Sequence, residues 1–133
     1  MARQMTVTLP ATGRAAGLAR QATRGALAVW QVAHLEETAV LLVSELVGNV
    51  LRHARTRALA MTLFLDPEVA SLLIEVHDTD PHEPSPRTPD TLDESGFGFV
   101  LIEALAGKWG VRQTAIGKAV WVELDARQPV NHP

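Results

Sequence analysis

The segment from Glu45 to Ala54 places polar side chains at four-residue intervals in an otherwise apolar stretch. Four residues of an α-helix turn through about 400° and rise about 6 Å, so Glu45, Asn49 and His53 share one face. An amphipathic helix results, because a separate apolar stripe runs beside this ridge. The stripe consists of Ala39, Leu42, Val43, Leu46 and Val50. The spacing therefore predicts a core helix that carries one polar ridge.

This polar ridge has two interpretations. A carboxylate beside an amide oxygen suits a hard cation, and Mg²⁺ is commonly held by one or two protein oxygens together with substrate phosphates. Polar residues at i and i+4 also occur on ordinary solvated helix edges. The helix alone does not decide between a magnesium site and a solvated edge.

Two later segments bear on that choice. Residues 72–78 form an apolar strand pattern that ends in Asp78. A carboxylate there can accept a hydrogen bond from a ligand amine, worth about 1.5–3 kcal/mol when buried, although it can equally cap the following turn. Further on, Gly96 and Gly98 open an apolar helix whose free N–H groups suit a phosphate. The alternative is an ordinary loop that enters a core helix.

The chain of 133 residues has the length of one domain, and we expect residues 1–133 to form a single domain. No apolar run reaches the ~20 residues of a membrane span, and no export pattern is present, so we expect a cytoplasmic protein that does not bind membranes. The net charge of −3 argues against direct binding to nucleic acid. An effect on transcription would therefore act through a protein partner.

Hydrophobic periodicity predicts the remaining elements. We expect strands at 5–9, 58–65, 71–76, 108–114 and 118–124, and helices at 14–32, 35–53 and 98–106. These elements make an α/β (α+β) two-layer sandwich, in which helices lie on one face of a mixed, largely antiparallel sheet. The proline-rich and acidic segment 79–95 is long for a loop inside a domain, and we interpret it as a lid.

In this order, the segments resemble the boxes of the histidine-kinase-like ATPase superfamily. More narrowly, they are similar to the small anti-sigma-factor serine kinases of bacteria. The matching stretches are Ser44–Ala54, Val76–Pro81, Glu94–Ala106, Trp109–Arg112 and Gly117–Trp121. The combination of boxes in order is specific, whereas each box alone is not.

The resemblance implies a role for each matching position. Glu45 corresponds to the general base that acts on a substrate serine, and Asn49 to the Mg²⁺ ligand. Asp78 corresponds to the acceptor for the adenine amino group, and Gly96 and Gly98 to the glycines around the phosphates. The implied cofactors are ATP and Mg²⁺. The implied partners are a sigma factor, an anti-sigma antagonist protein or both, and a homodimer is left open.

The five histidines suggest no zinc site, because they show no ligand spacing. His53 matches a common position at the end of the first box. A histidine that packs or caps the end of its helix is the favoured interpretation.

Three departures from the family pattern keep two function classes open. The turn after Asp78 has residues 79–81 in place of a glycine-containing turn, Phe97 stands where a polar or basic residue is common, and Ala119 replaces a threonine. Retention of Glu45 and Asn49 favours a serine/threonine protein kinase that phosphorylates an anti-sigma antagonist and regulates transcription by partner switching. Phe97 and Ala119 favour a noncatalytic regulatory module with weak or vestigial nucleotide binding.

Overall fold

The computed structural model describes residues 1–53, 57–78, 102–114 and 117–128. Along the chain, the elements are β1 (Arg3–Pro10), α1 (Ala15–Val29), a 3₁₀ turn (Ala33–Leu35), α2 (Glu36–His53), β2 (Ala58–Asp66), β3 (Ser71–Asp78), β4 (Lys108–Thr114) and β5 (Gly117–Asp125). Residues 102–105 are also helical and belong to the third predicted helix.

Helix α1 has a defined start and a defined end. Before it, the hydroxyl of Thr12 accepts a hydrogen bond from the Arg14 N–H at 3.2 Å. At its end, the Val32 N–H bonds to the Leu27 carbonyl at 2.9 Å, and Gln31 has φ 61°. This is the Schellman arrangement, in which a left-handed residue terminates a helix. The helix therefore stops at Val29, three residues before the predicted end at residue 32.

Helix α2 follows the predicted pattern. Glu36 and Glu37 occupy its first turn, where negative charge is favourable near the helix N-terminus. The predicted apolar stripe is completely buried, and it comprises Ala39, Leu42, Val43, Leu46 and Val50. The stripe makes α2 the central helix of the core.

The five strands form one sheet in the order β1-β2-β3-β5-β4, and every pairing between them is antiparallel. One row of aligned apolar residues crosses the whole sheet. It consists of Val7, Met61, Val76, Val120 and Val111. Because strand residues alternate between faces, this row and its neighbours two residues away supply the core side of the sheet.

The helices cover that side. Helix α1 packs on α2 and β1, and α2 packs on β3 and β5. The result is the predicted two-layer sandwich with helices on one face. Among the described residues, no helix has the length and hydropathy that a membrane crossing requires.

The opposite face of the sheet carries polar pairs between its strands. Thr6 and Thr62 share a hydrogen bond of 3.1 Å between their hydroxyls. Arg112 of β4 reaches across β5 and donates to Glu75 of β3 at 2.6 Å. These contacts link strands β1 to β2 and β4 to β3 on the side that the helices leave open.

Candidate functional site

Asn49 is a polar side chain inside the core. It is 0% exposed, and its neighbours Leu46 and Val50 are equally buried. Its Nδ2 atom has no hydrogen-bond partner among the residues described. A buried donor left without a partner costs about 1–3 kcal/mol, so a polar group that satisfies it would be stabilising. Burial rules out a simple solvated helix edge at this position.

The oxygen of the Asn49 amide already accepts a hydrogen bond. Arg52 Nη2 donates a hydrogen bond to Asn49 Oδ1. The arginine lies one turn further along α2, and its guanidinium folds back over Gly48. A Cβ atom at Gly48 would be 3.4 Å from Arg52 Nη1, which is a tight contact. The guanidinium is the one group near Gly48 within the described part of the chain that an added Cβ would contact.

Glu45 lies one helical turn before Asn49 and is half-buried. The residue before it anchors this part of the helix. The Ser44 hydroxyl donates to the Val40 carbonyl at 3.0 Å and accepts from Arg20 Nη1 of α1 at 3.2 Å. Glu45 is thus held on a helix that is tied to α1, with its carboxylate on the same face as the amide of Asn49.

Asp78 ends β3, as predicted, and is half-buried. It lies two residues after Val76, so strand alternation places it on the side of the sheet that the helices cover. The start of β5 lies directly against it. A Cβ atom at Gly117 would be 2.8 Å from Asp78 Cβ and 3.3 Å from its Oδ2. Only glycine allows the two strands to approach this closely beside the carboxylate.

Helix α2 packs on β3 and β5, the two strands that carry Asp78 and Gly117. The structure therefore packs the helix that carries the polar ridge against the two strands that carry Asp78 and Gly117. Gly96, Phe97 and Gly98 lie outside the described residues. So do the predicted lid at 79–95 and the side chain of His53.

Three residues at this site were missed by sequence reasoning. Arg52 was read as part of the motif without a role, and Gly117 as a turn residue. Thr114 pairs with Gly117 across the β4–β5 hairpin, and its buried Oγ1 lacks a hydrogen-bond partner within the described part of the chain. A glycine in mid-helix, at Gly48, was the one sequence signal for the folded-back arginine.

Comparison with known proteins agrees with this geometry. The model of the histidine kinase-like ATPase domain matches residues 9–124. The two-layer sandwich and the polar ridge on its central helix are those of an ATPase-like domain. The chain belongs to the histidine kinase-like ATPase domain family. No curated protein has significant sequence similarity to it.

Domains of this family generally bind ATP with Mg²⁺, and the described residues fit both. The buried amide of Asn49 has one unpaired end and one oxygen suited to a hard cation. The carboxylate of Asp78 packs against the bare backbone of Gly117 and can accept a hydrogen bond from an amine. Asn49 would hold the metal, and Asp78 would hold the base.

Proposed function

We propose that this protein is an ATP-binding serine/threonine protein kinase of the anti-sigma-factor type, which phosphorylates an anti-sigma antagonist and regulates transcription by partner switching. The observation that supports this most is the presence of Glu45 and Asn49 one turn apart on α2, with Asn49 fully buried. A vestigial site would not need a polar amide in the core, where a residue such as leucine would pack without an unpaired donor.

In this proposal, ATP supplies the phosphoryl group and Mg²⁺ neutralises charge on its phosphates. Glu45 accepts the proton of a serine hydroxyl on the protein substrate. Asp78 accepts a hydrogen bond from the adenine amino group, and the bare backbone of Gly117 packs against this aspartate. Gly96 and Gly98 contact the phosphates by the family resemblance.

The protein partners follow from the same resemblance. We propose a sigma factor and an anti-sigma antagonist as the proteins bound, and the cytoplasm as the place where they meet. The net charge of −3 supports a protein partner over direct contact with nucleic acid.

Two measurements test the kinase. Titration with a fluorescent ATP analogue, with and without Mg²⁺, should show saturable binding that Mg²⁺ strengthens. Incubation with γ-labelled ATP and an antagonist partner captured from the native cytoplasm should transfer label to a serine of that partner. A partner that binds tightly and never acquires label would overturn the kinase activity.

One observation supports the alternative of a noncatalytic regulatory module. Ala119 is 0% exposed and carries no hydroxyl at the strand position where similar kinases have a threonine. The same two measurements separate the alternatives, since the module binds its partner but leaves it unlabelled.

A further inference from the structure

Arg52 donates a hydrogen bond to the atom that would coordinate a metal ion. Its Nη2 donates to Oδ1 of Asn49, which is the oxygen of that amide. The Nδ2 end carries two hydrogens and cannot act as a metal ligand. Arg52 and a cation therefore compete for one atom.

The arrangement is built into the helix. Gly48 lies in the interior of α2, where glycine costs about 1 kcal/mol relative to alanine. A Cβ at this position would be 3.4 Å from Arg52 Nη1, at the end of a flexible side chain. The guanidinium therefore lies along the helix over Gly48 and reaches Asn49.

The arginine is also free to leave. The Arg52 side chain is exposed, whereas its acceptor Asn49 is fully buried. A solvent-facing guanidinium recovers its hydration when it swings away. The cost of its release is the buried Oδ1 of Asn49 that loses its partner, and a cation bound at that oxygen removes this cost.

We propose that Arg52 guards the metal ligand: it occupies Asn49 Oδ1 while nucleotide is absent and withdraws when Mg²⁺ binds together with a nucleotide. The inference rests on the proposed nucleotide-binding function. Its consequence is a competition, in which the apparent affinity for Mg²⁺ equals the intrinsic affinity multiplied by the fraction of molecules in which Arg52 has left Asn49. One hydrogen bond to an exposed group corresponds to about two- to tenfold in such an equilibrium.

The first test is the Mg²⁺ dependence of binding of a fluorescent ADP analogue. Arg52→Met removes the donor and should lower the half-saturating Mg²⁺ concentration by about two- to tenfold. Arg52→Lys keeps the charge with a simpler donor and should fall between Met and wild type. Arg24→Met removes the same charge from an exposed position on α1 and should leave the Mg²⁺ dependence unchanged.

The second test observes Asn49 itself. The chain contains two asparagines, Asn49 and Asn131, so selective ¹⁵N-asparagine labelling gives two side-chain amide pairs, and Asn131→Ser assigns them. In the nucleotide-free protein, Arg52→Met should shift the Asn49 pair. Addition of Mg²⁺ and ADP to the wild-type protein should also shift it.

The outcomes separate the two proposals. In one outcome, wild-type protein binds the analogue but Arg52→Met leaves the Mg²⁺ dependence unchanged, or lowers nucleotide affinity equally at all Mg²⁺ concentrations. The proposed competition between Arg52 and Mg²⁺ is then wrong, and the proposed function stands. If the side-chain amide signals of Asn49 do not shift in Arg52→Met, the proposed competition is also wrong. If wild-type protein binds no nucleotide with or without Mg²⁺, the proposed function is wrong, and so is the proposed role of Arg52.

Discussion

Gly117 lies against Asp78 so closely that a side chain at position 117 would collide with the aspartate. The Cβ that any other residue would place at 117 falls 2.8 Å from Asp78 Cβ and 3.2 Å from its Cγ. The nearest obstruction is the root of the aspartate side chain, which cannot swing aside without moving β3. The carboxylate of Asp78 can therefore keep its position only if residue 117 is a glycine.

Gly117→Ala should displace Asp78 and weaken nucleotide binding by about tenfold or more, since a bond to a charged group is worth about 1.5–3 kcal/mol. Isothermal titration with ADP measures this loss. Gly25→Ala is the matched control, because a Cβ there meets no atom within 4 Å. It should leave binding intact and stabilise α1 by about 0.5–1 kcal/mol. Normal affinity in Gly117→Ala would contradict the steric requirement.

Asp78→Asn should remove the preference for adenine. A carboxylate accepts from the adenine amine and opposes the guanine carbonyl, whereas an amide can present either group. We expect wild-type protein to bind ATP more tightly than GTP, and the variant to lose about tenfold or more of its ATP affinity. Competition titrations with both nucleotides measure this difference. Equal affinities in the wild-type protein would remove Asp78 from the base site.

Glu45→Gln should leave nucleotide affinity nearly unchanged and slow phosphoryl transfer to the serine-bearing partner by ~10²–10⁴, the usual contribution of a positioned base. Single-turnover transfer from γ-labelled ATP gives the rate. Glu37→Gln is the control, because Glu37 is exposed in the first turn of the same helix. If both variants transfer at the wild-type rate, another group is the base.

Gly110→Ala should destabilise the fold without a direct effect on the nucleotide site. A Cβ at Gly110 would lie 2.7 Å from Trp121 Cζ2 and 2.9 Å from its Nε1, so the indole covers the glycine backbone. Overpacking of this kind costs about 1–3 kcal/mol, measurable by urea unfolding. Trp121→Val removes the ring. In that background, we expect Gly110→Ala to lower the free energy of unfolding by less than it does in the wild-type protein. Strict additivity of the two changes would show that the ring is not the obstruction.

Acid should break one ion pair at the far end of β5. The Arg127 side chain donates two hydrogen bonds to Asp125 Oδ2, at 2.6 and 3.1 Å, and its backbone N–H donates to Oδ1 at 2.9 Å. These bonds lower the pKa of Asp125 from 3.8 to about 2. A lowered pKa in the folded state adds stability above pH 3.8 that is lost as the pH falls through about 2.

Carboxyl ¹³C titration of Asp125 tests this assignment. In Arg127→Gln, the side-chain bonds are gone and the pKa should rise toward 3.8, while the backbone N–H still holds it somewhat lower. Arg24→Gln serves as the control for loss of a positive charge elsewhere. An unchanged Asp125 pKa in Arg127→Gln would assign the lowering to the backbone alone.

Much of the fold was predictable because its elements are amphipathic with the regular periods of helix and strand. The stripe of α2 and the alternation of β2, β3 and β5 lie where the pattern indicated. The boundaries were less accurate. The predicted helix at 14–32 ran past Val29, since Gln31 adopts a left-handed conformation that glycine more often supplies. Sequence periodicity carries no signal for a left-handed glutamine.

The positions of Glu45, Asn49 and Asp78 in the fold were predictable, and their contacts were not. The four-residue spacing of Glu45 and Asn49 required that they share a helix face. The bond from Arg52 to Asn49 depends on one rotamer of a long side chain, and the Gly117 contact depends on the distance between strands far apart in the chain. Such contacts arise only from tertiary packing. The roles of Gly96 and Gly98 stay predictions.

The strand order has a thermodynamic consequence. Strands β2 and β3 form one local hairpin, and β4 and β5 form another. The pairing of β3 with β5 joins these two hairpins into one sheet. Asp78 and Gly117 lie at one end of that junction. By the reciprocity of linked equilibria, a ligand bound there would strengthen the junction by the same free energy with which the formed junction improves ligand binding. Nucleotide would then stabilise the junction between the two hairpins, and the nucleotide-free protein would lack that contribution.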